Sequence, residues 1–145
     1  MTRLNRKVEY ALMALKIMAH KRPGELTSAK EVVDAVGCPF DATARVLQRM
    51  GQHGILRSEQ GAHGGYVLIR DLTRLSLYDL MKLILGPLAA AKCLHGKGEC
   101  ELKSNCNIVN PVTILNRKYQ EFYQGITVGE LLKLRETERA EGAHA

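Results

Sequence analysis

The stretch from Ser28 to Met50 restricts the fold of this chain more than any other. Ser28 and Glu31 stand three apart, just ahead of Val32, Val33 and Val36. At that spacing the hydroxyl and the carboxylate satisfy unpaired first-turn amides reciprocally and open a helix. Gly37 stops it, Gly37-Cys38-Pro39 makes a three-residue break, and a second helix follows at once. Phe40, Ala44, Leu47 and Met50 form its expected buried stripe, while Asp41, Arg45, Gln48, Arg49 and Gln52 lie away from that stripe. Two short helices joined by a tight glycine-containing turn predict a helix-turn-helix, whose second helix projects a polar and basic face into a groove of DNA.

The sequence on either side supports this. Val8, Ala11, Leu12, Leu15 and Met18 recur at helical spacing and predict an amphipathic helix that ends before Pro23-Gly24. After the second helix, Ile55 to Ser58 and Tyr66 to Arg70 read as strands around the glycine-rich loop 59–65. A hairpin in this place is a wing, and its glycines let backbone approach a phosphate closely. The loop matches neither a Walker A motif nor G-x-G-x-x-G. Ser76-x-x-Asp79 opens a fourth helix with Leu77, Leu80, Met81 and Ile84 on one face, ended by Gly86-Pro87.

Composition agrees with a helical protein. Of the 145 residues 46% are hydrophobic, but only 5% are aromatic and none is Trp, so the core is built of Leu, Ile, Val, Ala and Met. No apolar run approaches the roughly 20 residues that span a bilayer. No signal peptide is legible either, so a cytoplasmic protein without a membrane anchor is expected. The net charge of +6 is uneven. Through Arg74 there are 12 basic and 7 acidic residues, against 9 and 8 from Leu75 onward. A basic first half suits a polyanion.

Beyond the fourth helix the character changes. Ala89 to Asn110 is irregular and holds Cys93, Cys100 and Cys106, while Cys38 stands alone in the first half as an expected small buried hydrophobe. Three cysteines so close in a cytosolic chain point to a metal or redox site rather than a disulfide framework. Lys92, Lys97 and Lys103 would favour thiolate over thiol. The residues alone support an iron–sulfur cluster and a redox-active thiol group equally. Pro111 then suits a helix N1 position, and Val112, Leu115, Tyr119 and Phe122 follow as a stripe. Nothing after this helix is long enough to bury that stripe, so it is expected to meet its counterpart in a second chain, with packing on the fourth helix as the alternative. Gly125 caps the helix, Thr127-x-x-Glu130 opens a last short one, and the tail after Leu134 is charged and expected to fray.

Four features together resemble the winged-helix transcriptional regulators of the IscR and NsrR type. They are Arg3-Leu4 with Tyr10-Ala11, the wing Gly61-Ala62-His63-Gly64-Gly65-Tyr66, the three cysteines between the fourth helix and a long one, and Ile126-Thr127-Val128-Gly129-Glu130-Leu131. The resemblance runs from Arg3 to about Leu134. It implies a mainly α fold with a small β wing. Residues 1–75 would form a winged helix-turn-helix DNA-binding domain, and residues 76–145 a cluster-binding loop, dimerisation helix and C-terminal tail. It implies a homodimer on palindromic promoter DNA, tuned by a [2Fe–2S] or [4Fe–4S] cluster on Cys93, Cys100 and Cys106. One extra residue separates the first two cysteines from the commonest family pattern. Val109 stands where the IscR type has a histidine, which leaves the fourth ligand open. Glu9 matches the acidic ligand that the NsrR type takes from the partner's first helix, although lone helical acids are mostly solvated. His95 is the other candidate.

For DNA, Asp41, Thr43, Arg45 and Arg49 are the expected base-reading candidates; Ser28, Lys30, Gln60 and His63 would mostly touch phosphates. Ala44 replaces the glutamate of IscR-type readers, so a different DNA sequence is expected. Two other readings compete. One is a cluster-less regulator of the same family, acting through thiol oxidation or a partner protein. The other is a cysteine-based redox enzyme or electron carrier, which would leave the first half without a purpose. No Ser-His-Asp or H-E-x-x-H arrangement supports it, and the protein is not expected to be an enzyme.

Overall fold

Helix α1 (Arg6–Ala19) is capped by Asn5, whose side chain accepts from the Lys7 amide at 2.9 Å. It buries Val8, Ala11, Ala14, Leu15 and Met18. Helix α2 (Ala29–Val36) starts at Ser28, whose hydroxyl accepts from the Glu31 amide at 3.1 Å, as the spacing predicts. It ends at Gly37, where φ of 74° requires the left-handed conformation that glycine adopts without strain. Helix α3 (Phe40–Gln52) follows across Cys38-Pro39. A computed structural model describes residues 3–95 and 100–134 of the chain in this way.

The wing is an antiparallel pair, β1 (Leu56–Glu59) and β2 (Gly65–Leu68), in the register Leu56 to Leu68 and Glu59 to Gly65. Both strands begin one residue away from their expected starts. A third segment joins them: Thr27 and Tyr66 exchange amide–carbonyl hydrogen bonds, both 2.9 Å. The wing is thereby tied to the entry of α2. Two glycines make the hairpin possible. A Cβ on Gly64 would lie 2.5 Å from the Glu59 carbonyl oxygen, and one on Gly65 would lie 2.8 Å from that of Thr27. No other residue fits either place without moving backbone.

Helix α4 (Leu77–Leu85), capped by Ser76, buries the four residues expected of it, Leu77, Leu80, Met81 and Ile84. It packs on α1 and α3. Helix α5 (Val109–Gln124) begins two residues before Pro111, which sits in the first turn where a missing amide is tolerated. Helix α6 (Val128–Leu131) then returns to the body. Leu77 and Val128 donate to the carbonyls of Ile126 and Leu75, both at 2.8 Å. Val128 is fully buried in the same core as Leu15, Leu47 and Leu80. This core draws residues from both sides of position 75.

Two parts of the expected α3 pattern are corrected. The buried residues are Thr43, Val46, Leu47 and Met50. Phe40 is exposed and Ala44 half-buried, so the stripe is rotated from the one hydrophobicity suggested. Among the described residues no helix is long and apolar enough to cross a membrane.

Candidate DNA interface and cysteine loop

Rotating the buried stripe fixes which α3 residues can face a ligand. Asp41, Arg45, Gln48 and Gln52 follow at i, i+4, i+7 and i+11, all exposed and opposite the buried stripe. The side chains of Asp41, Arg45 and Gln48 make no hydrogen bond or ion pair with the described residues. Asp41 also lies in the first turn, where a carboxylate complements the helix dipole. Gln48, which the sequence already sets away from the apolar stripe, belongs at the centre of this face.

Thr43 is the corrected member of the expected contacts. It is fully buried. Its hydroxyl donates to the Pro39 carbonyl at 2.7 Å and lies 3.0 Å from Cys38 Sγ. A β-branched hydroxyl bonded to the carbonyl four residues back is satisfied inside the protein, and it cannot reach a base. Arg49 is exposed, yet its Nε donates to the Leu83 carbonyl at 2.9 Å. It fastens α3 to the last turn of α4, satisfying a carbonyl near the end of that helix.

The expected phosphate contacts gather around the wing and α2. Ser28 is half-buried with its hydroxyl engaged as the α2 cap. Lys30 is exposed and donates to Asp34 Oδ2 at 2.7 Å. That hydrogen bond, and then the carboxylate charge, raise the Lys30 ammonium above its usual range. Lys21 pairs with Glu31 and donates to the Leu26 carbonyl at 2.9 Å, closing the turn between α1 and α2. Gln60 and His63 are exposed on the wing loop. Arg57 and Glu59 on β1 form a 3.3 Å ion pair between exposed side chains.

The cysteine loop is built differently. Cys93 lies in a short 3-10 turn, Lys92–Leu94, and Cys100 and Cys106 stand at either end of the turn 101–105. All three are half-buried and unbridged, whereas Cys38 is buried in the core. Three free thiols on one loop suit an iron–sulfur cluster in donor chemistry. Among the described residues, however, no three His, Cys, Asp or Glu side chains gather closely enough to hold a metal ion. Lys92, next to Cys93 in sequence, and Lys103, between Cys100 and Cys106, are exposed, His95 is exposed, and Lys97 lies outside the described residues. Glu9, on α1, has Arg6 Nη1 2.8 Å from its Oε2, which is itself shielded from water.

α5 carries no buried residue. It packs on α4 with Tyr123 against the core, and the Ala90 amide in the loop beyond α4 donates to Asn116 Oδ1 at 2.8 Å. Leu115, Tyr119 and Phe122 remain exposed, together with Ile108 and Ile114.

Comparison with known proteins places this architecture. The pattern of the Rrf2 family, iron-dependent transcriptional regulators, matches residues 4–134. The HTH-type transcriptional regulator IscR of Photobacterium profundum is 26% identical over 132 residues, covering 90% of this chain and 76% of that one. The protein aau3 of Rhizobium meliloti is 27% identical over 135 residues, covering 92% and 86%. Among solved structures, CymR (YrzC), the global cysteine regulator of B. subtilis, superposes with a TM-score of 0.67 at 21% identity, over 92% of this chain and 98% of its own. T. potens IscR gives 0.64 at 19% identity, over 91% and 87%. These likenesses confirm a mainly helical winged helix-turn-helix fold.

Proposed function

The chain belongs to the Rrf2 family of transcriptional regulators, and from that premise we propose a homodimer that binds palindromic promoter DNA under the control of an iron–sulfur cluster. One observation carries the DNA reading: α3 presents Asp41, Arg45, Gln48 and Gln52 as an unengaged polar face while its other side is locked into the core. Arg45 is the strongest base reader, since a guanidinium can pair bidentately with guanine, and Asp41 can accept from cytosine N4. Ser28, Lys30, Gln60 and His63 position the protein on phosphates. The α2 entry and the wing are joined by the Thr27–Tyr66 hydrogen bonds, so they move onto the backbone as one surface.

The exposed stripe of α5 supports dimerisation. Leu115, Tyr119 and Phe122 form an exposed apolar row that continues from the side of α5 anchored by Asn116 and Tyr123, which suits packing against a second copy about a two-fold axis. Two α3 helices would then meet two half-sites one turn of duplex apart. The division of labour follows, with residues 1–75 reading DNA and residues 76–145 pairing and sensing. Such a protein works in the cytoplasm and is not an enzyme.

Cys93, Cys100 and Cys106 would hold the cluster, with Glu9 of the partner subunit or His95 as fourth ligand. The cluster would supply a centre that reacts with oxygen or nitric oxide and is lost in iron shortage. For Glu9 to take that role its carboxylate must leave Arg6. A second reading is supported by the ungathered thiols: free, half-buried cysteines beside lysines are suited to reversible oxidation without a cluster.

The test is anaerobic purification with iron and acid-labile sulfide analysis of the wild type and of Cys100→Ala, followed by DNA binding across a salt series. The proposal expects iron and sulfide in the wild type, their loss in Cys100→Ala, and steep salt dependence of binding. A colourless wild type under those conditions leaves the thiol reading. Failure to bind any duplex removes both.

A further inference from the structure

We propose that Phe40 contacts the 5-methyl group of a thymine in the major groove, so that each half-site requires thymine at one position. The inference rests on the DNA-binding reading above and adds an apolar contact to it. Phe40 is the first residue of α3 and is 52% exposed. Ala44, one turn further on, is half-buried, while Asp41 and Arg45 are exposed. The ring therefore stands at the edge of the polar face. Long side chains on a helix lean toward its N-terminus, and the N-terminal residues of a recognition helix are the ones that meet base edges.

The turn that presents the ring is fixed from behind. Thr43 is buried, and its amide and hydroxyl both donate to the Pro39 carbonyl, at 3.0 and 2.7 Å. Cys38 is buried beside it, with Sγ 3.0 Å from that hydroxyl. These contacts bracket Phe40 in the chain, so the backbone that carries the ring is fixed before DNA arrives and less freedom is lost on binding. An aromatic ring gains nothing from a phosphate. The apolar feature that the major groove offers is the thymine methyl, which phenylalanine is suited to touch. Phe40 thus explains why a large apolar side chain sits in water beside Asp41 and Arg45.

The experiment begins by selecting duplexes that the full-length protein retains from a random pool. In the selected duplex each thymine is then replaced singly by deoxyuridine, which pairs identically but lacks the methyl. One thymine per half-site is expected to matter, its loss weakening wild-type binding about fourfold, the effect of one buried methyl group. Phe40→Ala is expected to bind thymine and uracil duplexes equally while keeping its preferences at other positions. Phe40→Leu, which keeps an apolar group, is expected to retain most of the sensitivity. A wild type indifferent to every methyl overturns the proposal and leaves DNA recognition standing; so does a Phe40→Ala protein that keeps the sensitivity. Failure of the pool to yield any preferred duplex removes specific DNA recognition, and this contact with it.

Discussion

α3 and α5 are both amphipathic helices of similar length, 13 and 16 residues, and they end in opposite situations. α3 lies against α1, α2 and α4 and buries four side chains. α5 leans on α4 and buries none, leaving Leu115, Tyr119 and Phe122 in water. An apolar stripe states that a helix needs a partner surface; it does not state in which chain that surface lies. α3 has its partners within 50 residues of sequence, so its stripe closes a core. α5 contributes no buried residue to that core, which α6 beyond it completes with Val128, and its stripe is left for another molecule.

The largest effect that would test this contrast is a pair of truncations. Leu47→Ala, at a fully buried position, should cost roughly 2–5 kcal/mol in urea unfolding whatever the protein concentration. Phe122→Ser should leave unfolding of dilute protein within about 0.5 kcal/mol of wild type, as exposed substitutions do, and should abolish any rise of Tm with concentration. Should Phe122→Ser destabilise dilute protein as much as Leu47→Ala, α5 belongs to its own chain's core and the contrast is false.

The wing gives the next effect. Gly64→Ala places a methyl 2.5 Å from the Glu59 carbonyl and should cost roughly 1–3 kcal/mol, the usual range for forced repacking. Because the clash is confined to the hairpin, helical circular dichroism should be preserved while DNA affinity falls. A parallel loss of helix would mean that the wing is needed to hold α2 and α3.

How far this was legible in the sequence depends on distance along the chain. The caps at Ser28, Ser76 and Thr127 are local: each hydroxyl accepts from the amide three residues on as its spacing predicts, while the Glu31 carboxylate turns to Lys21 rather than back to the cap. The rotation of α3 was not legible, because hydrophobicity alone favours Phe40 inward over Thr43. What reverses them is the Pro39 carbonyl, which satisfies the Thr43 hydroxyl and makes its burial tolerable. The contact of Arg49 with Leu83 spans 34 residues, and no local pattern encodes it. For the cysteines, the sequence carries their order and chemistry but not a gathered geometry, since no local pattern of caps or periodicity specifies how residues 93, 100 and 106 converge.

The two arginines of α3 offer the next test. Arg45→Ala should lose about 1–3 kcal/mol of discrimination at one base pair and weaken specific binding far more than non-specific binding. Arg49→Ala should instead lose about 1 kcal/mol of stability, the worth of one hydrogen bond, and reduce both kinds of binding alike. Competition binding against mismatched duplexes separates them. Equal losses on specific and non-specific DNA for Arg45→Ala would count against a base contact.

The smallest effect lies at the edge of the DNA face. Lys30 is held by Asp34 at 2.7 Å, a pair between exposed side chains that adds little to stability. Its ammonium is charged at neutral pH with or without that partner, because the carboxylate only raises a value that is already high. Asp34→Asn therefore changes availability rather than protonation. It removes a competing anion, and if Lys30 then gains a phosphate, the slope of log K against log salt should steepen by up to about 0.9. Stability and base preference should stay as they are. A slope that does not move would place Lys30 off the duplex, and would confine the backbone contacts of the helix-turn-helix to Ser28 and the wing.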